Sequence, residues 1–532
     1  MSTSFPGPSE NGAPAGAPPP GCPAHVPARA PEPNGAPEPN GAPEPNGAFE
    51  PDRGPGGIVR LYGPAASADP MALYERLRAE HGAVAPVLLE GDVPAWLVLG
   101  YDEILQIARN PRRFARDTRH WRDREEGRIP DDSPLMPLLA WRPDCISQDG
   151  NEHRRLRGAV KDSLENFDRR AIRRHVHRRS HQLVDGFAGA GRAELVSQFA
   201  ESLPMMVLTD LFGLPEEEGA DLVEASRQLV RGTEKALEAD RRIHGILGRL
   251  VAEKHRAPGP DLASWLIEHE ADLTDEEVRQ HLRLVLVLAN ETTTNLMVNT
   301  LRMVLTDPRF RGTLHGGQMT VPAAVEQILW DEPPLMVVPG RFPTHDMEIA
   351  GHEVRRGDLL LLCVAAGNTD PAIGRAAGED MHGNRSHLSF NSGPHECPGQ
   401  DIGRAITGSG IDTLLARLPD LQLAVPEEGL TWTSSTWSRH LDALPVLFTP
   451  RHARNPFAPR PAAEADGEAD GGAEAAGAEE ERPPVPAAAR TGEAPAQPER
   501  ITQPERTPQA VRPAAPRRGP GRWWDLLWPR RG

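Results

Sequence analysis

The chain has 532 residues, 38% of them hydrophobic, and a formal net charge of −17 at neutral pH. That size admits one large domain or two to three ordinary ones, and the acid surplus excludes general nucleic-acid binding, because only scattered arginines would oppose phosphate repulsion. No apolar run reaches bilayer length, and the first residues lack the charged start and apolar core of a signal peptide, so a cytoplasmic location is expected.

Residues 1–57 are mostly Pro, Gly, Ala and Glu and carry three tandem copies of APEPNG from Ala30 to Gly47. Such a composition cannot bury enough apolar surface to offset chain entropy, and a disordered arm is expected there. A single folded body then spans 58–454. Its first helical period is MALYERLRAEHG, and AWLVLG reads as a strand. Helical spacing returns in ELVSQFAESLPMMVLTDLFG and EKALEADRRIHGILGRLVAEKH.

The longest helix opens where Thr274 and Glu277 fit a capping box, and its pattern runs to about Thr306. Midway along it, LRLVLVLA gives way to NETTTN (Asn290–Asn295), a patch of poor helix formers. Either a solvent-facing stripe or an interhelical hydrogen-bond cluster explains it. Short strand-like runs follow in MEIAG and DLLLLCVAA. The fold class is therefore mainly α with small β-sheets.

Four cysteines (Cys22, Cys145, Cys363, Cys397) lie far apart, without the close pairing of a zinc site or a disulfide framework. Cys397 stands out, in LSFNSGPHECPGQDIGRAI. Gly393 and Gly399 permit turns closed to other residues and close approach to a flat partner, while Pro394 and Pro398 stiffen the path. The helix that starts just behind would favour a thiolate through its amides and dipole, and His395 can donate to an anionic group alongside. A rigid thiolate with an open face suits an axial ligand to haem iron. A plain buried cysteine, a catalytic nucleophile and half of a zinc pair with His395 are the alternatives.

Beyond residue 455 the Ala/Pro/Glu/Arg bias returns, and a second disordered segment is expected over 455–532. It contains the acidic run EADGEADGGAEAAGAEEE and closes on RRGPGRWWDLLWPRRG. Trp523, Trp524 and Trp528 between arginines suit a lipid headgroup interface or a docking peptide, which would make the protein peripheral to the membrane.

The spacing Phe390, Gly393, His395, Cys397, Gly399 resembles the haem loop of the bacterial soluble cytochromes P450, Phe-x-x-Gly-x-His/Arg-x-Cys-x-Gly, and the resemblance covers the whole folded body. It implies haem b bound through Cys397. It places Glu291 and Thr292, with Ala289 just before, as the acid and alcohol over the haem. There Glu291 would exchange protons with solvent while Thr292 hydrogen-bonds dioxygen. NEHRRLR resembles the helix that holds a propionate through His153 and Arg157, and PGRFPTHDMEIAG resembles the strand entry that supplies Arg341. The implied activity is that of a monooxygenase drawing electrons from a ferredoxin and its reductase. Docking is expected near Arg154, Arg155 and Arg404. The pocket, built from 114–147, 287–292 and 333–340, would take a hydrophobic small molecule.

One motif departs from the family. Where its members carry Glu-x-x-Arg, a buried ion pair joined by a further arginine, this chain reads AAVEQILWDEPP, which aligns Gln327 and Trp330 with the pair. Reading from Glu326 instead lands on Leu329. The expectation is a neutral Gln/Trp cluster under the haem loop, with only Arg375 or Arg385 as candidates for the third partner. The Gln-x-x-Trp signature resembles a small actinobacterial group of cytochromes P450 often encoded beside a sensor-kinase-like membrane protein and a small GTPase. A haem-binding regulatory component that signals to partner proteins is therefore the rival to the enzyme.

Overall fold

The computed structural model describes residues 50–230, 236–307, 310, 320–374 and 383–451. Most of both terminal arms, with Cys22, the acidic run and the Trp/Arg close, lies outside the described residues. Residues 50–57, assigned to the arm by composition, are tied to the body. Arg53 forms an ion pair with Glu80 at 3.0 Å, and its backbone bridges to Val59.

Helices dominate, around one mixed sheet of six strands in the order β1-β2-β3-β6-β5-β4. These are β1 (Val59–Arg60), β2 (Val84–Leu89), β3 (Val93–Val98), β4 (Phe114–Ala115), β5 (Val337–Pro343) and β6 (Leu360–Cys363). The β2–β3 hairpin runs in register from Val84 opposite Val98, and β3 lies parallel to β6 with Trp96 beside Leu360. Both β3 and β6 are wholly buried, which is why they read as continuous apolar runs rather than alternating ones.

Such a run does not by itself distinguish strand from helix. Of DLLLLCVAA only the part to Cys363 is strand, and Val364–Asn368 turns into a short helix. Its last side chain, Asn368, donates to Leu329 O at 3.0 Å and accepts from Leu388 N at 2.8 Å, tying the segment to both neighbours of the cysteine loop. The segment ELVSQFAESLPMMVLTDLFG also divides. A π-helical turn, Val196–Ala200, precedes a helix over Ser202–Phe212. Pro204 falls in the first turn of that second helix, where its missing N–H costs no hydrogen bond.

The central helix, Asp275–Thr306, has the expected capping box between Thr274 and Glu277. Its 32 residues span about 48 Å at 1.5 Å per residue. Its second half packs into a core shared with Arg169–Phe187 and Gln400–Arg417 through Met297, Val298, Leu301, Val176, Val184 and Leu414. The NETTTN patch is mostly buried: Asn290, Thr293, Thr294 and Asn295 are each below one-tenth exposed, and Thr294 donates to Ala200 O at 3.1 Å. Burial rules out a solvent stripe for these four, but only Thr294 bonds to a neighbouring element, while Asn290 Oδ1 and Asn295 Nδ2 are buried without a hydrogen-bond partner.

Candidate functional site

The loop from Leu388 to Gly399 is held from three sides. Cys397 N donates to Phe390 O at 2.9 Å, closing the loop on itself. Gly393 adopts φ +73°, and a Cβ there would sit 2.7 Å from Ala108 O and 2.9 Å from Arg109 Cα, so the loop lies against the backbone of Tyr101–Arg109. Gly399 differs from the expectation. Its φ of −95° is open to any residue, and a Cβ would meet no protein atom within 4 Å. Asn391 takes the left-handed strain that a glycine would relieve, at φ +60°.

Cys397 is half-buried, and desolvation of its thiol by the surrounding protein pushes the pKa up. The Gly399 amide and the guanidiniums of Arg157 and Arg404 pull the other way without reversing the direction. The amide at the helix start thus acts in the expected direction, toward the thiolate. Desolvation wins in the protein by itself, and a bonded cation is what would hold the sulfur deprotonated. Cys145 and Cys363 are buried and free. Among the described residues no cluster of three or more His, Cys, Asp or Glu could hold a metal ion, which disfavours the zinc reading of Cys397 with His395.

Beside this loop lies a group of buried and half-buried cations and imidazoles. Arg157, on the helix Gly150–Glu165, donates from Nη2 to Glu396 O, one residue before the cysteine. The His153 ring lies 4.1 Å from the His395 ring, centroid to centroid. Arg341 is 1% exposed and comes from β5 just past an irregularity in the β5–β6 register. Four nitrogens here are buried without a hydrogen-bond partner: Arg157 Nη1, Arg341 Nη2, His153 Nε2 and His395 Nε2. Burial presses the Arg341 guanidinium down to about 9 and His153 down to about 4, and His395 falls to about 3 for the same reason. Buried donors with unmet bonds and destabilised positive charge describe a site built for a dianionic ligand. The two propionates of haem have that chemistry, so the residues fit the cofactor.

Two further members escaped the sequence reading. Arg116, directly after β4, is half-buried, donates from Nη1 to Gly340 O at 2.8 Å, and desolvation presses its pKa to about 10. Asp149 is the counter-charge. It stands at the N-cap of the Gly150–Glu165 helix without capping it. Its Oδ2 accepts instead from Arg116 N at 2.7 Å and Asp117 N at 3.0 Å, and its Oδ1 faces His395 Nε2 at 3.6 Å. Burial raises its pKa, but His395 and those two amides outweigh burial and hold it below the ordinary carboxylate range. A local reading assigns Asp149 to its own helix. Only the tertiary arrangement turns it toward residues over thirty positions upstream.

On the central helix, Ala289, Glu291 and Thr292 are all half-buried. Thr292 donates back to Leu288 O at 2.7 Å, the i−4 bond common for mid-helix threonine. Glu291 Oε1 accepts from Ser438 Oγ at 3.2 Å, on the turn between the strands Trp432–Ser434 and Arg439–Leu441. Burial raises the Glu291 pKa and Ser438 only partly offsets it, so this carboxyl keeps its proton more readily than an ordinary glutamate.

The neutral cluster expected at the departed motif is overturned. Glu326 is the buried acid, and it is fully charged in character. Arg404 reaches it with Nε at 2.6 Å and Nη2 at 3.2 Å, and His387 Nε2 lies at 3.2 Å. Arg385 stands at the rim, 3.5 Å away, and Arg375 lies outside the described residues. Burial pushes Glu326 up, but His387 and Arg404 outweigh it and hold the carboxyl down at about 2. The cation comes from the helix after the cysteine, Gln400–Arg417, and its guanidinium lies 4.5 Å over the Phe390 ring. Gln327 donates to Asp331 at 2.6 Å, and Trp330 Nε1 donates to Asn384 O at 2.9 Å while its ring meets His387 edge-on. Gln327 and Trp330 thus brace an ion pair rather than replace it. This also removes Arg404, 11% exposed, from the expected docking face. Arg155 is likewise engaged, by Glu152 and Glu277, and Arg154 is the exposed member of the three.

No family model matches the chain. Individual relatives do. It is 31% identical over 397 residues to cytochrome P450 monooxygenase PikC of Streptomyces venezuelae, covering 72% of this chain and 92% of that one. The chain belongs to the cytochrome P450 family. It is also 30% identical over 398 residues to the 2-hydroxy-5-methyl-1-naphthoate 7-hydroxylase of Streptomyces carzinostaticus, covering 73% of this chain and 97% of the relative. Among solved structures, CYP154C4 from Streptomyces superposes with a TM-score of 0.65 at 28% identity, covering 71% of this chain and 95% of that chain. Membership makes the protein a P450 monooxygenase with haem b as its cofactor. No helix among the described residues is long and apolar enough to cross a membrane.

Proposed function

We propose that the protein hydroxylates a hydrophobic small molecule with dioxygen and electrons from a ferredoxin-type partner. The haem, held by Cys397, would supply the oxygen-activating chemistry. This chain's residues do the rest. His153, Arg157 and Arg341 supply the donors for the propionates. Glu291, its proton retained by burial and its carboxyl steadied by Ser438, is the proton store beside Thr292, whose hydroxyl can turn from Leu288 O toward a pocket oxygen. The ring of orphaned buried donors beside a single loop cysteine carries the reading.

The substrate class is supported by the exposed large apolar side chains. Leu138, Trp141 and Leu288 are 46%, 38% and 39% exposed and lie in segments expected to line the pocket. Relatives named for a naphthoate and for vitamin D3 point to the same class. Electron delivery by an acidic ferredoxin would use Arg154 on the exposed side of the Arg157 helix. The regulatory alternative draws on the Gln-x-x-Trp signature and on the terminal arms. The signature residues brace the Glu326–Arg404 pair, and most of both arms lies outside the described residues, so no observation favours it.

The test is the carbon monoxide difference spectrum of the dithionite-reduced holoprotein, followed by turnover with a surrogate ferredoxin and reductase. A thiolate-type Soret band, lost in Cys397→Ser, together with an oxygenated product from a polycyclic substrate panel, is expected. An unchanged band in Cys397→Ser would overturn the assignment.

A further inference from the structure

The helix Arg169–Phe187 carries an arginine stripe that the haem site does not use. Its buried face is Ile172, Val176, Ser180, Val184 and Phe187. On the opposite side Arg169, Arg170, Arg173, Arg174 and Arg178 are exposed, at 83%, 71% and 55% for Arg169, Arg174 and Arg178. Arg169 meets Asp401, Arg174 lies 4.0 Å from Asp168, and Arg178 shares Asp210 with Arg179 and His175. Asp412, from the helix packed alongside, faces Arg173 and His177. Arg170 and Arg173 enter no salt bridge among the described residues. Asp168 caps the helix N-terminus, accepting from Arg170 N at 3.1 Å and Ala171 N at 3.2 Å, so the positive field of this face comes from its arginine side chains.

The chain leaves the described fold next to this helix. Arg451 N donates to Ala188 O at 2.9 Å and Phe448 N to Gly191 O at 3.1 Å, so the last described residues pair with the segment that ends the arginine helix. Beyond Arg451 come twelve residues, 452–463, and then Glu464–Glu481, a run with eight acids and no basic residue. From Ala188 back to the stripe is about 15–29 Å along the helix, at 1.5 Å per residue. A twelve-residue connection can span at most about 43 Å, so its length lets the acids reach the arginines.

We propose that the acidic segment 464–481 docks on the arginine face of the Arg169–Phe187 helix of its own chain. Tethering gives it a local concentration in the millimolar range, which a free acidic protein must exceed to displace it. The contact would screen the stripe from acidic partners at low salt and release it as salt rises past the screening range.

The chain offers a clean chemical test, because its lysines are three: Lys161, Lys235 and Lys254. The full-length holoprotein carrying Arg170→Lys and Arg173→Lys keeps the stripe's charge while adding amines. A zero-length carbodiimide then joins carboxylate to amine only on contact. Equal amounts of light and heavy-isotope chains separate links within a chain from links between chains. The expected result is links from positions 170 and 173 to 464–481 within one chain. They should fall about tenfold from 20 to 500 mM NaCl, and vanish when the eight acids become amides. The Lys161–Glu165 pair, 3.5 Å apart, is the internal control. Control links without links to the tail, links only between chains, or links that survive conversion of the acids to amides would each overturn the proposal.

Discussion

Removing Glu326 is the sharpest probe of the ion pair beneath the cysteine loop. Its side chain is 8% exposed, and Arg404 and His387 are 11% and 1% exposed. Glu326→Leu leaves the Arg404 guanidinium with Gln400, His387 and the Phe390 ring but no counter-charge, at a cost of about 3–5 kcal/mol. The same contacts hold the folded carboxyl at about 2 against an ordinary 4.5, a difference that corresponds to about 3 kcal/mol. Because the folded value is depressed, that stability is fully present above pH 4.5 and is lost as pH falls from 4.5 toward 2. Glu326→Leu with Arg404→Leu removes both charges and should lose only about 1 kcal/mol, the part owed to stacking on Phe390. Urea titration at pH 7, followed by circular dichroism and the Soret band, measures both. For a body of about 400 residues, with an unfolding entropy near 0.8 kcal/mol/K, the single variant should melt about 4–6 °C lower. A double variant no more stable than the single one, or a single variant that loses under 1 kcal/mol, refutes the ion-pair account. So would a Glu326→Leu protein that keeps the wild-type slope of stability between pH 4.5 and 3.

Arg341→Leu should weaken haem retention about 10- to 100-fold, as one charge-assisted bond of roughly 1.5–3 kcal/mol is lost, read by transfer of haem to apomyoglobin. Gly340→Ala should destabilise by about 1–3 kcal/mol in the urea assay, because φ is +81° and the new methyl would lie 2.7 Å from Arg116 Nη1. Glu291→Gln should lower coupled turnover by about 100-fold while leaving the Soret band unchanged. In the parent enzyme, turnover should decline as pH rises through the elevated Glu291 pKa, and the variant should lose that limb of the profile.

Sequence periodicity carried most of the helical frame, since the central helix, its cap and its end follow from local signals that tertiary contacts do not oppose. The cysteine loop was legible for a similar reason. Gly393 is demanded by a backbone contact 2.7 Å away, and such a demand leaves a fixed residue type at a fixed spacing. The failures share a cause too. Asp149 and Arg116 look like an ordinary cap and an ordinary loop cation, and nothing nearby in the chain reveals that they meet.

The misreading at Glu326 shows how far pattern can mislead about charge. A helix positions side chains by angle, and neighbours on the chain differ by about 100°, so a motif read one residue late addresses a different face. Gln327 and Trp330 occupy the motif's positions, whereas the burial of charge is decided by which partners reach each face. From the loop side, Arg404 and His387 reach Glu326. What the fold needs is a carboxylate on the helix and a cation joined to the cysteine's own helix. The letters that supply them are free to shift by one position, provided the partner shifts as well.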